Sequence, residues 1–521
     1  MMKKPISKIA EQLFSAVQAP SQKDKKEEFI SVNEAVSSLA FLYEKIRNVI
    51  DYREDHLFRI NLIERILKRK FTSNGSKLFG KSLICELIRS RYLKNNSIPV
   101  SKIGKVNRII AKYKLLITLN SLPQRKKIQE WLISIAASEI ENCLAFDREE
   151  YALKTSFYHL LSPNIILKKS AKEHKRIQIF ISSQKALVKP ILGNLRYELL
   201  LGYFPAWNKM NEREIIAFSK NLESTFTKIE KEISFPKQEK LTNYCRRYTA
   251  PFLILKEFLL KNKSNLLSFT DNPEKLKMEI EDICFEKYTK MRSKLAKTAA
   301  RSILYIFLTK MIFALLLEIP YDALIDGGID YMPIIINTLF PPFLMFVFVA
   351  SIPKPDEKNT QVIVSKIKEI IYLGTFSSKK IIFSPTRQKK TIKDFIFHLI
   401  YVLTFFASFG AIIWGLRSLN FNVFSILIFM FFVTVVSFFA YKISQSAKEL
   451  IVSEKQKSRE ALIDLFMVPI LKAGSKLSSE LSKINVFNFI LNFIIEAPLK
   501  SFFEIGEEWL DFLREKKEEI V

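Results

Sequence analysis

Four stretches of nearly unbroken apolar sequence constrain this chain more than anything else in it. They run from Ala299 to Ile319, Tyr331 to Ile352, Phe395 to Leu416 and Phe421 to Ile443. Each reaches the ~20 residues that a helix needs to cross a hydrocarbon layer of ~30 Å. Where no water is at hand, such a segment satisfies its backbone by coiling into a helix. The expected fold class is therefore all-α: a polytopic helical membrane protein with a large N-terminal cytoplasmic helical domain. The first window carries Lys310 near its middle, and a central Lys costs about 2.5 to 3.5 kcal/mol on the insertion scale. The eleven Leu, Ile and Phe residues of that window return roughly 3 to 7 kcal/mol on the same scale, so insertion is still favoured.

Charge sets the expected orientation. The link from Pro320 to Asp330 holds Asp322, Asp326 and Asp330 and no Lys or Arg, whereas Pro353 to Lys393 holds ten Lys plus Arg against three acids. Positive loops stay inside, so both termini and the central loop are expected in the cytoplasm. The domain organisation read this way is a basic cytoplasmic helical domain over 1–298 and a first transmembrane hairpin over 299–352. A basic cytoplasmic loop over 353–394 and a second transmembrane hairpin over 395–443 follow, and a cytoplasmic tail closes the chain over 444–521. From Met1 to Ala300 there are 56 Lys plus Arg against 32 Asp plus Glu, which is 24 of the chain's net surplus of 28. A basic domain of that size calls for an anionic neighbour. Beside four membrane segments the expected partner is the lipid bilayer with its anionic lipids, joined by a protein partner or further copies of the chain; nucleic acid is not expected.

The first 300 residues carry helical apolar spacing almost throughout, as in Leu57, Ile60, Ile63 and Leu67, or Leu255, Phe258, Leu259 and Leu266. Only Ile177 to Ser183 reads as a possible strand, and a run that short is equally a buried helical turn. No repeat of fixed period is visible. Cys85, Cys143, Cys245 and Cys284 are far apart and form no metal-ligand set, so they read as reduced, buried thiols and no metal is expected. The helical stripe of Ile6, Ile9, Leu13, Phe14 and Val17 leaves no apolar core for a cleavable signal peptide. In the tail, Asn485, Asn488, Asn492, Glu496, Lys500 and Glu504 form a narrow polar stripe on an apolar helix, which predicts an interfacial or re-entrant helix over 485–504 anchored by Trp509.

The stretches DYREDHLFRINLIERIL (Asp51 to Leu67), ELIRSRYLKNNSIP (Glu86 to Pro99), SKINVFNFILNFIIEAPLK (Ser482 to Lys500) and EEWLDFLREKKEEI (Glu507 to Ile520) carry a resemblance. With them the chain resembles a family of multi-pass membrane proteins from the small-celled candidate-phyla bacteria. That family carries no assigned activity, so the resemblance supplies no site residue; it implies a bacterial inner membrane as the location.

Three features bear on chemistry. Gly75, Gly80, Lys81 and Ser82 match the phosphate-cradling pattern G-x-x-x-x-G-K-[ST]. That loop works only when a strand enters it and its amides converge at a helix N-terminus, yet the residues before Gly75 have helical spacing; a basic turn between two helices is the competing reading. Lys310 is the second, because intramembrane charges mark ion or substrate paths; against this stands a lysine that snorkels or satisfies carbonyls freed by Pro341 and Pro342. Asn337 and His398 are the other polar candidates within the windows. The third is the Asp322, Asp326, Asp330 row, which lacks the oxygen ligands of a calcium loop and reads as a solvated acidic turn. With no catalytic constellation in the sequence, a non-enzymatic inner-membrane scaffold or accessory protein without cofactor is the first expectation. An oligomeric channel or transporter is the alternative, and a P-loop nucleotide hydrolase the second.

Overall fold

The computed structural model describes residues 6–18, 28–32, 55–72, 79–119, 125–168, 171–326, 331–376, 380–383, 392–452 and 458–483. The chain is mostly helical, and its only strands among the described residues are three residues each, β1 (Ile165–Leu167) and β2 (Ile381–Phe383), paired in parallel with Ile165 opposite Ile381. Two compact units form. One holds Lys8–Cys245 with Ser377–Ser384, and the other holds Arg246–Phe376 with Pro385–Phe487; short terminal pieces are divided between them.

The first unit contains α1 (Lys8–Gln18), α2 (Asp55–Thr72), α3 (Gly80–Arg89), α4 (Ser101–Leu119), α5 (Arg125–Leu144), α6 (Arg148–Leu161), α7 (Lys172–Leu187), α8 (Leu192–Tyr203), α9 (Glu212–Ser219), α10 (Leu222–Ile233) and α11 (Gln238–Arg246). The ambiguous run Ile177 to Ser183 lies inside α7 and is helical. α5 is the axis of the unit, with α2, α4 and α8 packed around it and every residue from Trp131 to Glu141 buried. Enclosure on all sides is why α5 has no polar face. Gly193 on α8 is required by this crowding, since a Cβ there would stand 2.6 Å from the Ser134 carbonyl oxygen.

Burying two carboxylates on α5 demands partners, because an unpaired charge in a core is expensive. Glu141 takes a bidentate Arg59 guanidinium at 2.5 and 2.7 Å. Glu139 accepts from Lys112 Nζ at 2.6 Å, Tyr113 Oη at 2.7 Å and Trp207 Nε1 at 2.9 Å, and Lys112 lies 4.6 Å from the Trp207 ring. Desolvation holds the Lys112 ammonium below the usual lysine range and lifts the Tyr113 hydroxyl well above its own.

The second unit contains α12 (Thr249–Lys261), α13 (Leu266–Thr270), α14 (Pro273–Phe313), α15 (Tyr331–Ala350), α16 (Glu357–Lys368), α17 (Ile392–Ser418), α18 (Val423–Ala447) and α19 (Ser458–Lys483). Four of these helices, α14, α15, α17 and α18, are long and apolar enough to cross a membrane, and they fall on the four windows read from sequence. α18 is their hub: half of its apolar window is buried, against 12% for α17, and it packs on α14, α15 and α19. α19 lies within the stretch assigned above to the tail, and it packs along α17 and α18. Gly474 permits this contact, because a Cβ there would stand 2.0 Å from the Thr434 carbonyl oxygen. The helix expected over 485–504 lies outside the described residues. Asn359 on α16 ties α14 to the segment that follows α18: it donates to Tyr288 Oη at 2.8 Å and to the Leu450 carbonyl at 2.9 Å, and accepts from Val452 N at 2.8 Å.

Candidate functional site

Helix α14 does not stop at Phe313. It continues through a π-helical turn at Ala314–Glu318, a short α-helical piece at Ile319–Tyr321 and a second π turn at Asp322–Asp326. Pro320 sits between the two π turns and lacks the N–H of a regular helix, one of the recognised causes of such irregularity. The consequence is geometric. In an unbroken α-helix, position i+8 lies about 80° around the axis from position i. The wider π turn, bonded i to i+5 as in Ile319 N to Ala314 O, removes most of that offset. Lys310 and Glu318 therefore share one face, and the ammonium bonds the carboxylate in a fully buried ion pair.

Two other helices complete the site. From α15, Asn337 Nδ2 donates to Glu318 Oε2 at 3.0 Å and to the Ser425 carbonyl at 3.3 Å. From α18, Ser425 supplies that carbonyl, and Phe432 places its ring 4.9 Å from the Lys310 ammonium. Asn422 caps α18 by accepting from Ser425 N at 2.7 Å and donates to Asp322 Oδ1 at 2.7 Å. Lys310, Glu318 and Asn337 have no exposed surface, Ser425 has 1% and Asp322 has 3%. Two polar atoms here have no hydrogen-bond partner within the protein, Asn337 Oδ1 and Ser425 Oγ.

The site corrects two sequence readings. Lys310 neither snorkels nor turns to the carbonyls near Pro341 and Pro342, because Glu318 is within its reach. Those two prolines lie inside α15, which runs through them from Tyr331 to Ala350. Each removes the N–H that the carbonyl four residues back would have used, so the carbonyls of Asn337 and Thr338 lose their helical donors. Asp322, read as part of a solvated acidic turn, is buried; of the rest of that row, the Asp326 side chain and Asp330 lie outside the described residues. Glu318 and Ser425 were not singled out from sequence. Pro320 was the one available signal for Glu318, since a proline at a window's end warns that helical spacing will not hold there.

The other candidates separate. His398 falls on α17, with its side chain outside the described residues. In the P-loop-like segment, Gly75 lies outside the described residues, and a helix, α2, leads toward it where the phosphate-cradling geometry needs a strand. Gly80 opens α3 with its amide donating to Asn107 Oδ1 at 2.8 Å, and a Cβ on it would stand 2.5 Å from that oxygen. Gly80 thus serves the packing of α3 on α4. Lys81 is exposed and Ser82 half-buried at the start of the same helix. We assign no nucleotide site to Gly75, Gly80, Lys81 and Ser82.

The cysteines are placed as thiols of low reactivity. Cys245 and Cys284 are buried and free, and burial pushes the Cys245 thiol up to about 12. The thiolate is the reactive form, so a raised thiol leaves less of it at any given pH. Cys245 in the folded chain should alkylate at pH 8 at least ~100-fold more slowly than in the denatured chain, measured by mass spectrometry of timed quenches. Equal rates would show that this part of α11 opens freely. Among the described residues no group of three or more His, Cys, Asp or Glu side chains could hold a metal ion. Compared with protein-family models, with curated proteins and with solved structures, the chain has no match.

Proposed function

We propose that this chain is an integral membrane protein of a bacterial inner membrane that presents a basic helical unit to the anionic cytoplasmic leaflet or to a protein bound there. It acts as a scaffold or accessory protein and not as an enzyme. The observation that carries the membrane part is the apolar surface of the four long helices. Tyr305 and Leu316 on α14, Phe343 on α15, and Phe397, Phe406 and Trp414 on α17 are each at least 60% exposed. Contiguous apolar surface on that scale is foreign to soluble proteins and matches a hydrocarbon solvent.

Charge supports the presentation. Lys8 to Cys245 holds 42 Lys plus Arg against 25 Asp plus Glu, and each Lys or Arg held near an anionic leaflet is worth about 1 kcal/mol. The core of this unit, from Ile30 to Ile229, closes within itself, so the segment is suited to study alone. The fragment Lys8 to Cys245 should float with vesicles rich in anionic lipid and be released by about 0.5 M salt, where the Debye length falls below ~5 Å. Equal flotation with neutral vesicles would remove the electrostatic basis of the reading.

Orientation follows from the positive loop over 353–394. In a variant lacking the native cysteines, Asp326→Cys should react with a membrane-impermeant thiol reagent in intact cells, and Lys380→Cys only after lysis. Labelling of Lys380→Cys in intact cells would invert the topology and move the basic unit to the other side.

A second reading, a channel or transporter working as an oligomer, is favoured by one observation: the buried polar cluster of Lys310, Glu318 and Asn337 at the contact of three apolar helices. Flux in proteoliposomes that falls in Glu318→Gln is its test.

A further inference from the structure

The Lys310–Glu318 pair is balanced in charge but not in hydrogen bonding. Glu318 receives the Lys310 ammonium and the Asn337 amide, while Asn337 Oδ1 and Ser425 Oγ find nothing, although their residues are 0% and 1% exposed. Buried polar atoms normally have partners. The two orphans are a carbonyl and a hydroxyl oxygen, and both belong to residues already joined to each other and to Glu318, since Asn337 Nδ2 spans the Glu318 carboxylate and the Ser425 carbonyl. The hydrogen-bond donors to the Glu318 carboxylate are the Lys310 ammonium and the Asn337 amide nitrogen.

Turning the Asn337 amide by half a revolution has a definite effect. Oδ1 would replace Nδ2 between Glu318 Oε2 and the Ser425 carbonyl, at the present 3.0 and 3.3 Å. Three oxygens so close repel one another unless a cation sits among them, and Ser425 Oγ, on the residue that supplies one of them, has no partner of its own among the described residues. Hard oxygen donors of this kind suit a hard cation. Charge selects the valence. A monovalent ion restores the single positive charge that the ammonium now supplies, so the charge of the buried cluster, Asp322 included, is left unchanged. The Phe432 ring, 4.9 Å from the ammonium, attracts a monovalent cation of either kind. Asn422 fixes the first turn of α18 and so the position of Ser425.

We propose that Glu318, Asn337 and Ser425 form a sodium site within the apolar helices, and that the Lys310 ammonium, bonded to the same carboxylate through Oε1, supplies the positive charge that Na⁺ takes over when the lysine is withdrawn. The site depends on the packing of α14, α15 and α18 alone, so it stands whichever way the chain is oriented and whether or not it conducts ions.

The test is binding of radiolabelled Na⁺ by scintillation proximity, on the full chain purified in detergent. In the unaltered protein, Na⁺ competes with the tethered ammonium and binds weakly. Lys310→Met should bind it saturably with an apparent Kd at least ten-fold tighter, and Lys310→Arg, which keeps a resident cation, should remain weak. Adding Glu318→Gln to Lys310→Met should abolish the gain. A Lys310→Met protein that is monodisperse and binds no more Na⁺ than the unaltered chain overturns the site, and so does a gain that survives Glu318→Gln. Should Lys310→Met fail to yield monodisperse protein, Lys310→Gln takes its place under the same criteria. A thermal midpoint no higher in sodium chloride than in N-methylglucamine chloride of equal ionic strength, for whichever Lys310 variant folds, likewise overturns it.

Discussion

Replacing Glu318 with Ala should cost the folded protein about 3 to 5 kcal/mol, the usual penalty for leaving a buried charge without its partner. Lys310 has no exposed surface, and its ammonium bonds Glu318 beside the Phe432 ring, so the variant strands an ammonium in a buried site. The double variant Lys310→Met with Glu318→Leu should recover to within about 1 kcal/mol of the starting stability, because apolar groups of similar volume remove both desolvation penalties at once. Midpoints of denaturant-driven unfolding of the full chain in mixed micelles give both values. A double variant no better than the single one would mean that the pair is worth more than its own neutralisation. The sodium site adds one expectation. Lys310→Met strands a carboxylate where Na⁺ can replace the ammonium, so it should be less damaging in sodium than in N-methylglucamine, whereas Glu318→Ala should be indifferent to that exchange.

Glu139→Ala should have an effect of comparable size in the other unit, again about 3 to 5 kcal/mol, but with a different cause. Glu139 accepts from three side chains, Lys112, Tyr113 and Trp207, so its removal strands the Tyr113 hydroxyl and leaves Lys112 and Trp207 with only the longer bonds to the Trp207 carbonyl and Tyr113 Oη. Here a double variant with Lys112→Met should recover only part of the loss, because the buried Tyr113 hydroxyl still lacks its acceptor. The same cluster gives a pH signature. Desolvation lowers the Lys112 ammonium in the folded chain, so the unfolded chain binds that proton more tightly and stability rises as pH climbs from the lowered value toward the ordinary lysine value. The rise is opposed where thiols and then tyrosines begin to ionise, because Cys245 and Tyr113 are both held above their ordinary values and the unfolded chain loses those protons first. Chemical denaturation of the fragment Lys8 to Cys245 between about pH 7 and 10 measures this. In Lys112→Met the rising contribution should shrink to what Lys185, also lowered by burial, supplies.

The contrast between the two pairs bears on function. Around Glu139 every donor meets an acceptor, the arrangement of a core that specifies one packing. Around Glu318 the charges are matched while Asn337 Oδ1 and Ser425 Oγ are left over. Unsatisfied buried groups in a native structure call for an explanation, and an ion that the polar atoms can turn to meet is the one developed above.

Much of the architecture was already written in the residue pattern. Length and apolarity placed four helices on Ala299–Ile319, Tyr331–Ile352, Phe395–Leu416 and Phe421–Ile443, because those properties belong to each segment by itself and depend on no neighbour. Helical periodicity likewise identified the first 300 residues as helical, and the short run Ile177–Ser183, readable either way, is helix by its place inside α7. The polar site was not legible in the same way. Lys310 and Asn337 could be noticed as polar residues in apolar windows, but their partners depend on a π turn that rotates Glu318 onto the face of Lys310, and on the packing of α15 and α18 that brings Asn337 and Ser425 to it. Asp322 looked like a solvated turn residue because it follows Pro320 among acids, and only Asn422, 100 positions on, makes it a buried one. Sequence alone determined which segments avoid water, since hydrophobicity is additive along a chain. The tertiary structure decided which polar groups meet inside those segments, since a hydrogen bond requires two groups within about 3 Å and nothing in linear order fixes that distance.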